Sequence, residues 1–213
     1  MGRNMAGEIT ALKYQKRNRD RVNVYLDGRF ACGLPATVAA TLKPGQYLSD
    51  TELENLKGEG AVESAYSRAL NYLSYRPRSR AEVVSNLQKH GTPDSQIYAV
   101  VERLQRASLL DDEAFARFWV ENRERHRPRG LRALRYELRN KGVDAEIIER
   151  AVDSVDAGDS AYRAAESKAR QLGHLDQPVF QRKLVEYLAR RGFDYGVARE
   201  VAERRWIELS EGQ

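Results

Sequence analysis

The sequence predicts a mainly α-helical protein: three tandem three-helix repeats in an elongated array, behind a small N-terminal module that contains a β-hairpin. Three observations predict it. A Pro is followed fourteen residues later by a Gly three times, at Pro77–Gly91, Pro128–Gly142 and Pro178–Gly192. The Gly residues stand 51 and 50 apart (142 − 91 and 192 − 142), and leucine or valine recurs eight and four residues before each: Val83 and Leu87, Leu134 and Leu138, Leu184 and Leu188. Self-similarity at such a period marks one supersecondary unit copied and stacked. Strand-like alternation, by contrast, is confined to the first sixty residues.

In the N-terminal module, residues 1–60, Val22, Val24 and Leu26 alternate with polar or aromatic neighbours, as a strand with one buried face requires. Asp27-Gly28 follows, a dipeptide suited to the two positive φ angles of a type I′ turn, and Phe30, Cys32 and Leu34 then alternate as the return strand. Ile9–Tyr14 supplies a preceding strand, joined through the polar tip Arg17-Asn18-Arg19-Asp20. A short helix is expected from Pro35 toward Leu42, broken by Lys43-Pro44-Gly45. Ser49 and Glu52 make a capping-box pair that opens a further short helix.

The repeats span residues 62–111, 112–158 and 159–210, each read as three helices. The first helix of each carries Ala65-Tyr66, Ala114-Phe115 or Ala161-Tyr162, an aromatic able to anchor a small core. Tyr66 with Leu70, and Phe115 with Trp119, share a helical face at i, i+4. The second helix starts after the Pro and stops at the Gly, which takes the left-handed C′ conformation at little cost. The third begins with Thr92 and Pro93 at N1, or with Asp144 or Asp194 as N-cap. Its apolar positions are Ile97, Val100, Val101 and Leu104, then Ile147, Ile148, Ala151 and Val152, then Val197, Val201 and Ala202.

Composition narrows the function. Apolar residues make up 41% of the 213, enough to fold, while 31% are charged and the mean hydropathy is −0.68, which suits small helical units with thin cores. Thirty-six Lys and Arg against thirty-one Asp and Glu leave +5, a surplus that permits nucleic-acid binding without demanding it. Cys32 is the single cysteine, so no disulfide forms within the chain and a reducing compartment fits. No stretch approaches the length of a membrane span. The start, Met1-Gly2-Arg3-Asn4-Met5-Ala6, lacks the apolar core of a signal peptide, so a soluble cytoplasmic protein is expected.

Catalytic chemistry finds no support. Gly28 and Gly33 have the outer spacing of a phosphate loop, but Leu34-Pro35 stands where Lys-Ser/Thr is required. His90, His126 and His174 are scattered singly, with no second ligand at metal-binding spacing. Asp111-Asp112-Glu113 directly precedes the Phe115 helix, where carboxylates cap free N–H groups and oppose the dipole. No nucleophile–base pair is evident, and no enzyme, metal or cofactor is expected.

The informative charge lies in the middle repeat. Residues 121–141 hold Arg123, Arg125, Arg127, Arg129, Arg132, Arg135, Arg139 and Lys141 against three Glu, a local net charge of +5 (8 − 3) that equals the surplus of the whole chain. Leu131, Leu134 and Leu138 face the core at i, i+3, i+7. Arg132, Arg135 and Arg139 follow at the same spacing, rotated by about 100°. Three guanidinium groups thus form a stripe suited to phosphate or carboxylate; the alternative is a solvated face, although ordinary faces mix signs. Arg76, Arg78 and Arg80 surround the Pro of the first repeat. Arg182, Lys183, Tyr187, Arg190 and Arg191 lie in the third, where Tyr187 either packs or stacks on a base.

The three tandem units, Leu110-Asp111-Asp112 followed by Phe115-Ala116, and Gly130 with Glu137-Leu138 and Lys141-Gly142 resemble the RecX family, bacterial regulators of the recombinase RecA. The N-terminal extension with Tyr25-Leu26-Asp27-Gly28 is similar to that of its longer members. The resemblance implies a cytoplasmic, non-enzymatic monomer concerned with DNA repair, recombination and the SOS response. Its partners would be RecA filaments, bound along their helical groove, and single- or double-stranded DNA, with no membrane. It would inhibit ATP hydrolysis, coprotease activity and strand exchange. Two other readings stay open: a duplex-binding regulator of helix-turn-helix type, and a helical scaffold that binds protein alone. Against the duplex reader, the third helices start with Pro93-Asp94, Ala145-Glu146 and Tyr195-Gly196, which suit capping better than base reading.

Overall fold

The computed structural model describes residues 6–211, which form four strands and ten helices. Of the six residues read above for targeting signals, Met1–Met5 lie outside the described residues. The chain divides into two compact units. One holds the described residues up to Arg76 with Val83–Leu109; the other holds Pro77–Glu82 and the described residues from Leu110 on.

The first unit opens with β1 (Gly7–Tyr14), β2 (Arg21–Leu26) and β3 (Arg29–Pro35), then α1 (Ala36–Ala39) and β4 (Tyr47–Leu48). The antiparallel sheet has the order β3-β2-β1-β4. Asp27 and Gly28 both take positive φ, 47° and 79°, so the β2–β3 turn has the backbone that Asp-Gly predicts. Ile9, Val22, Val24, Leu26, Cys32 and Leu34 turn inward onto Leu42, Leu48 and Leu53. The two residues of β4 are too few to show alternation and escape sequence reading. Phe30 departs from its expected inward parity: the register shifts so that Tyr25 opposes Phe30 while Val24 opposes Cys32, and Phe30 is 57% exposed.

Ser49 caps as expected, accepting the Glu52 N–H while Glu52 accepts the Ser49 N–H at 2.8 Å. The helix it opens is not short. α2 runs unbroken over Asp50–Ser74, so the first helix of the first repeat begins at Asp50 instead of near Ala65. Gly58 and Gly60 both lie inside it, and Gly60 is buried where a methyl would come within 2.8 Å of Leu34 Cδ2; the missing side chain lets helix approach sheet. Then come α3 (Arg80–Lys89) and α4 (Asp94–Arg106), burying Val83, Leu87, Ile97, Val100, Val101 and Leu104. Pro93 is the N-cap residue of α4, one position earlier than the expected N1. Arg103 lies 3.7 Å from the Tyr66 ring centroid and 2.6 Å from Glu63.

The second unit contains α5 (Asp112–His126), α6 (Leu131–Asn140) and α7 (Ala145–Val152), then α8 (Ala157–Leu172), α9 (Gln177–Arg190) and α10 (Tyr195–Glu211). Phe115, Ala116, Leu134, Leu138 and Ile148 centre one core; Phe180, Leu184, Leu188, Phe193 and Ala198 centre the other. Asp111 accepts the Glu113 and Ala114 N–H groups, the capping role expected of it. Asp144 and Asp194 do the same for Glu146 and Gly196. In α9 the helix begins before the Pro, so Pro178 stands inside the first turn, where its missing N–H leaves no bond unmade.

Within this unit the recurring Gly turns act as sockets. The Ser79 hydroxyl donates to the Lys141 carbonyl at 2.6 Å, and Lys141 Nζ meets Glu82 at 2.8 Å. The Arg80 N–H donates to Asp112 at 2.7 Å. Burial nevertheless holds the Asp112 carboxyl above its usual range, against the opposing pull of that bond. One repeat further on, the Gly130 N–H donates to the Arg191 carbonyl at 3.1 Å. A methyl on Gly142 would overlap Ala81, and one on Gly130 would overlap the backbone of Gly192 and Phe193.

Candidate anion-binding groove

α6 is the helix on which the basic stripe sits, and its placement follows from its apolar positions. Leu134 and Leu138 are fully buried, which turns the flank bearing Arg132, Arg135 and Arg139 toward α9. The two helices border an open groove of about 460 Å³, lined by Arg132, Ala133, Arg135, Tyr136, Arg139 and, from the α9 side, Ala189, Arg190 and Gly192. The groove thus unites four of the cations singled out in sequence, three from the second repeat and Arg190 from the third.

They are not equivalent. Arg135 forms a two-pronged pair with Glu149 of α7, Nε to Oε1 at 2.9 Å and Nη2 to Oε2 at 2.8 Å. That pairing holds the Glu149 carboxyl below its usual range and raises the Arg135 pKa. Arg135 is therefore committed within the protein. Among the described residues no carboxylate forms an ion pair with Arg132, Arg139 or Arg190, so three guanidinium groups remain to face an incoming anion. Tyr136, 64% exposed, lies among them. A planar ring beside unpaired guanidinium groups fits phosphate together with a flat group such as a base.

The remaining candidates lie elsewhere. Arg125 and Arg127 are exposed at the end of α5. Glu137 gathers Arg123 at 2.7 Å, the Trp119 Nε1–H at 2.9 Å and Arg129 at 3.8 Å. Lys141 is held by Glu82 beside the Trp119 ring. Arg191 donates to the Pro128 carbonyl at 3.0 Å and to the Tyr187 hydroxyl at 2.7 Å, and Tyr187 packs against the third-repeat core. Arg182 and Lys183 are exposed on α9 away from the groove lining. Arg80 is exposed and Arg78 half-buried in the second unit, while Arg76 is half-buried in the first. Tyr136 was missed in sequence, although its positions relative to Arg132 and Arg139, i+4 and i−3, placed it among them. Among the described residues no cluster of metal-ligating side chains occurs, and no helix is long and apolar enough to cross a membrane.

Comparison with known proteins agrees with this architecture. Family models match in chain order: the regulatory protein RecX N-terminal domain at residues 7–49, and the first, second and third three-helix domains of RecX at 65–104, 111–152 and 156–202. The regulatory protein RecX of Bacillus licheniformis is 31% identical over 209 residues, 96% of this chain and 80% of its own length. That of Prosthecochloris aestuarii is 40% identical over 142 residues, 67% of this chain and 93% of its own. A crystal structure of regulatory protein RecX superposes with a TM-score of 0.74 at 25% identity, covering 93% of this chain and all of the other. RecX from Lactobacillus salivarius gives 0.62 at 25% identity, covering 68% of this chain and 96% of its own. With four domain models in register and relatives matched over most of their length, the chain belongs to the RecX family of regulatory proteins.

Proposed function

We propose that this chain is a cytoplasmic, non-enzymatic regulator that binds RecA–DNA filaments along their helical groove and mostly inhibits ATP hydrolysis, coprotease activity and strand exchange. The observation that supports the reading is the α6–α9 groove, where Arg132, Arg139 and Arg190 are unpaired beside exposed Tyr136. A nucleoprotein filament offers what such a groove takes: phosphate, acidic protein surface, or both along one track. Weak interactions repeated along that track act together. Reading of duplex bases is less well supported, because Asp144 and Asp194 at the starts of α7 and α10 are engaged in capping.

The test is RecA assembled on single-stranded DNA, followed by ATPase rate and filament length as the chain is added up to stoichiometric ratios. Inhibition and shortening are expected; no effect overturns the reading. Arg132→Glu with Arg139→Glu should weaken filament binding while helicity is kept. The salt dependence should also become shallower, by about 0.7 in slope for each single-strand phosphate that is no longer neutralised.

A further inference from the structure

The open face of the N-terminal sheet carries chemistry that the groove does not explain. Val22, Val24 and Leu26 turn inward, so Arg21, Asn23 and Tyr25 project from the other side. Two register irregularities flank Tyr25: one between Ile9 and Ala11 on β1, the other between Val24 and Tyr25 in the β2–β3 pairing. Bulges of this kind re-aim side chains. The second brings Phe30 out of the parity of Cys32 and Leu34 and sets it opposite Tyr25. The two rings stand edge to face, centroids 6.0 Å apart, and Lys13 Nζ lies 5.3 Å from the Tyr25 centroid.

Leaving a phenylalanine 57% exposed forgoes apolar burial that the expected register would have supplied. The segment that carries it is basic. Residues 13–30 hold six Lys and Arg against two Asp, a net +4 (6 − 2) in eighteen residues. Asp27 is engaged by the Glu8 N–H at 3.1 Å, and no ion pair holds Arg17, Arg19 or Arg29 among the described residues. Gln15 and Asn23 bond each other at 2.8 Å, so cations and rings are the chemistry left to recognise a ligand. Neighbouring rings on an open sheet, with Lys13 over Tyr25 and Arg29 next to Phe30 in the chain, fit unpaired bases stacked on the rings with phosphates on those cations.

We infer that this face is a second nucleic-acid site, one that binds single-stranded DNA by stacking bases on Phe30 and Tyr25. It is separate from the α6–α9 groove and does not depend on the filament reading. The probe is a labelled thymidylate strand of about 20 nucleotides, long enough for one such platform. Anisotropy is measured with the full chain carrying Arg132→Glu and Arg139→Glu, which removes the groove's contribution. Binding is expected to persist, to fall about tenfold on Phe30→Ala, as loss of one stacked base implies, and to return with Phe30→Trp. A duplex of the same length should be insensitive to residue 30. Absence of binding before residue 30 is changed overturns the proposal. So does a Phe30→Leu chain that binds as well as the parent, since that would mean apolar docking without stacking. If Phe30→Ala does not fold, the Phe30→Trp chain decides: the strand should quench the new indole, and no quenching beyond that of the parent chain refutes the site.

Discussion

The turn at Gly91 and those at Gly142 and Gly192 are built alike and used differently. Each glycine has positive φ, 72°, 69° and 87°. Each is followed by a residue whose N–H returns to the same helical carbonyl: Thr92 to Leu87 at 3.1 Å, Val143 to Leu138 at 3.2 Å, Phe193 to Leu188 at 3.2 Å. That is the six-to-one bond of a Schellman cap. Around Gly91 a methyl would meet nothing. At Gly142 and Gly192 it would run into Ala81 or Ala133, because another helix start is seated there. The Lys141 and Arg191 carbonyls, orphaned by the end of their helices, are taken by the Ser79 hydroxyl and the Gly130 N–H. One residue type therefore serves two purposes: a backbone conformation in all three turns, and a close approach in only two.

That contrast can be broken by substitution. Trp119 and Trp206 are the two tryptophans of the chain and both lie in the second unit, so tryptophan fluorescence in urea reports that unit alone. Gly130→Ala should have the largest effect, a loss of about 3 kcal/mol or more, because the methyl overlaps rigid backbone at Gly192 and Phe193. Its φ of −69° is ordinary, so the whole loss would come from the close approach. Gly192→Ala should follow at about 2–4 kcal/mol, adding left-handed strain to approaches of 2.5 Å to Ala133 Cβ and 2.6 Å to its N.

Ser79→Ala should cost about 1–2 kcal/mol, since it leaves the Lys141 carbonyl without its donor and the Glu82 N–H without its cap. Gly91→Ala should be mildest, about 1 kcal/mol from backbone strain alone. It lies in the first unit, so far-UV circular dichroism is the measurement, with tryptophan fluorescence unmoved. If Gly91→Ala proved as costly as Gly192→Ala, the distinction between open and occupied turns would fail.

Much of this was legible in the chain. The Pro-to-Gly frame marked the second helices, and apolar spacing marked which faces of α6 and α9 were inward. Asp27-Gly28 specified its turn, and the capping roles of Ser49, Asp111, Asp144 and Asp194 followed from residue type. The candidate groove was half legible: the spacing of Arg132, Arg135 and Arg139 put them on one flank. It did not show that Glu149, on the following helix, would occupy Arg135, or that Glu82, 59 residues away, would occupy Lys141. Tyr187 could have been assigned to packing, because Arg191 stands at i+4 and bonds its hydroxyl.

Local sequence determined the helices, their caps, the three left-handed turns and the net charge of the middle repeat, because each depends on residues within a turn or two of one another. Tertiary structure decided which guanidinium groups stay unpaired, which glycine turns become sockets, and on which face of the sheet Phe30 emerges. Those outcomes depend on groups brought together from distant segments, and on a register shift of one residue, which reverses the face of every side chain beyond it.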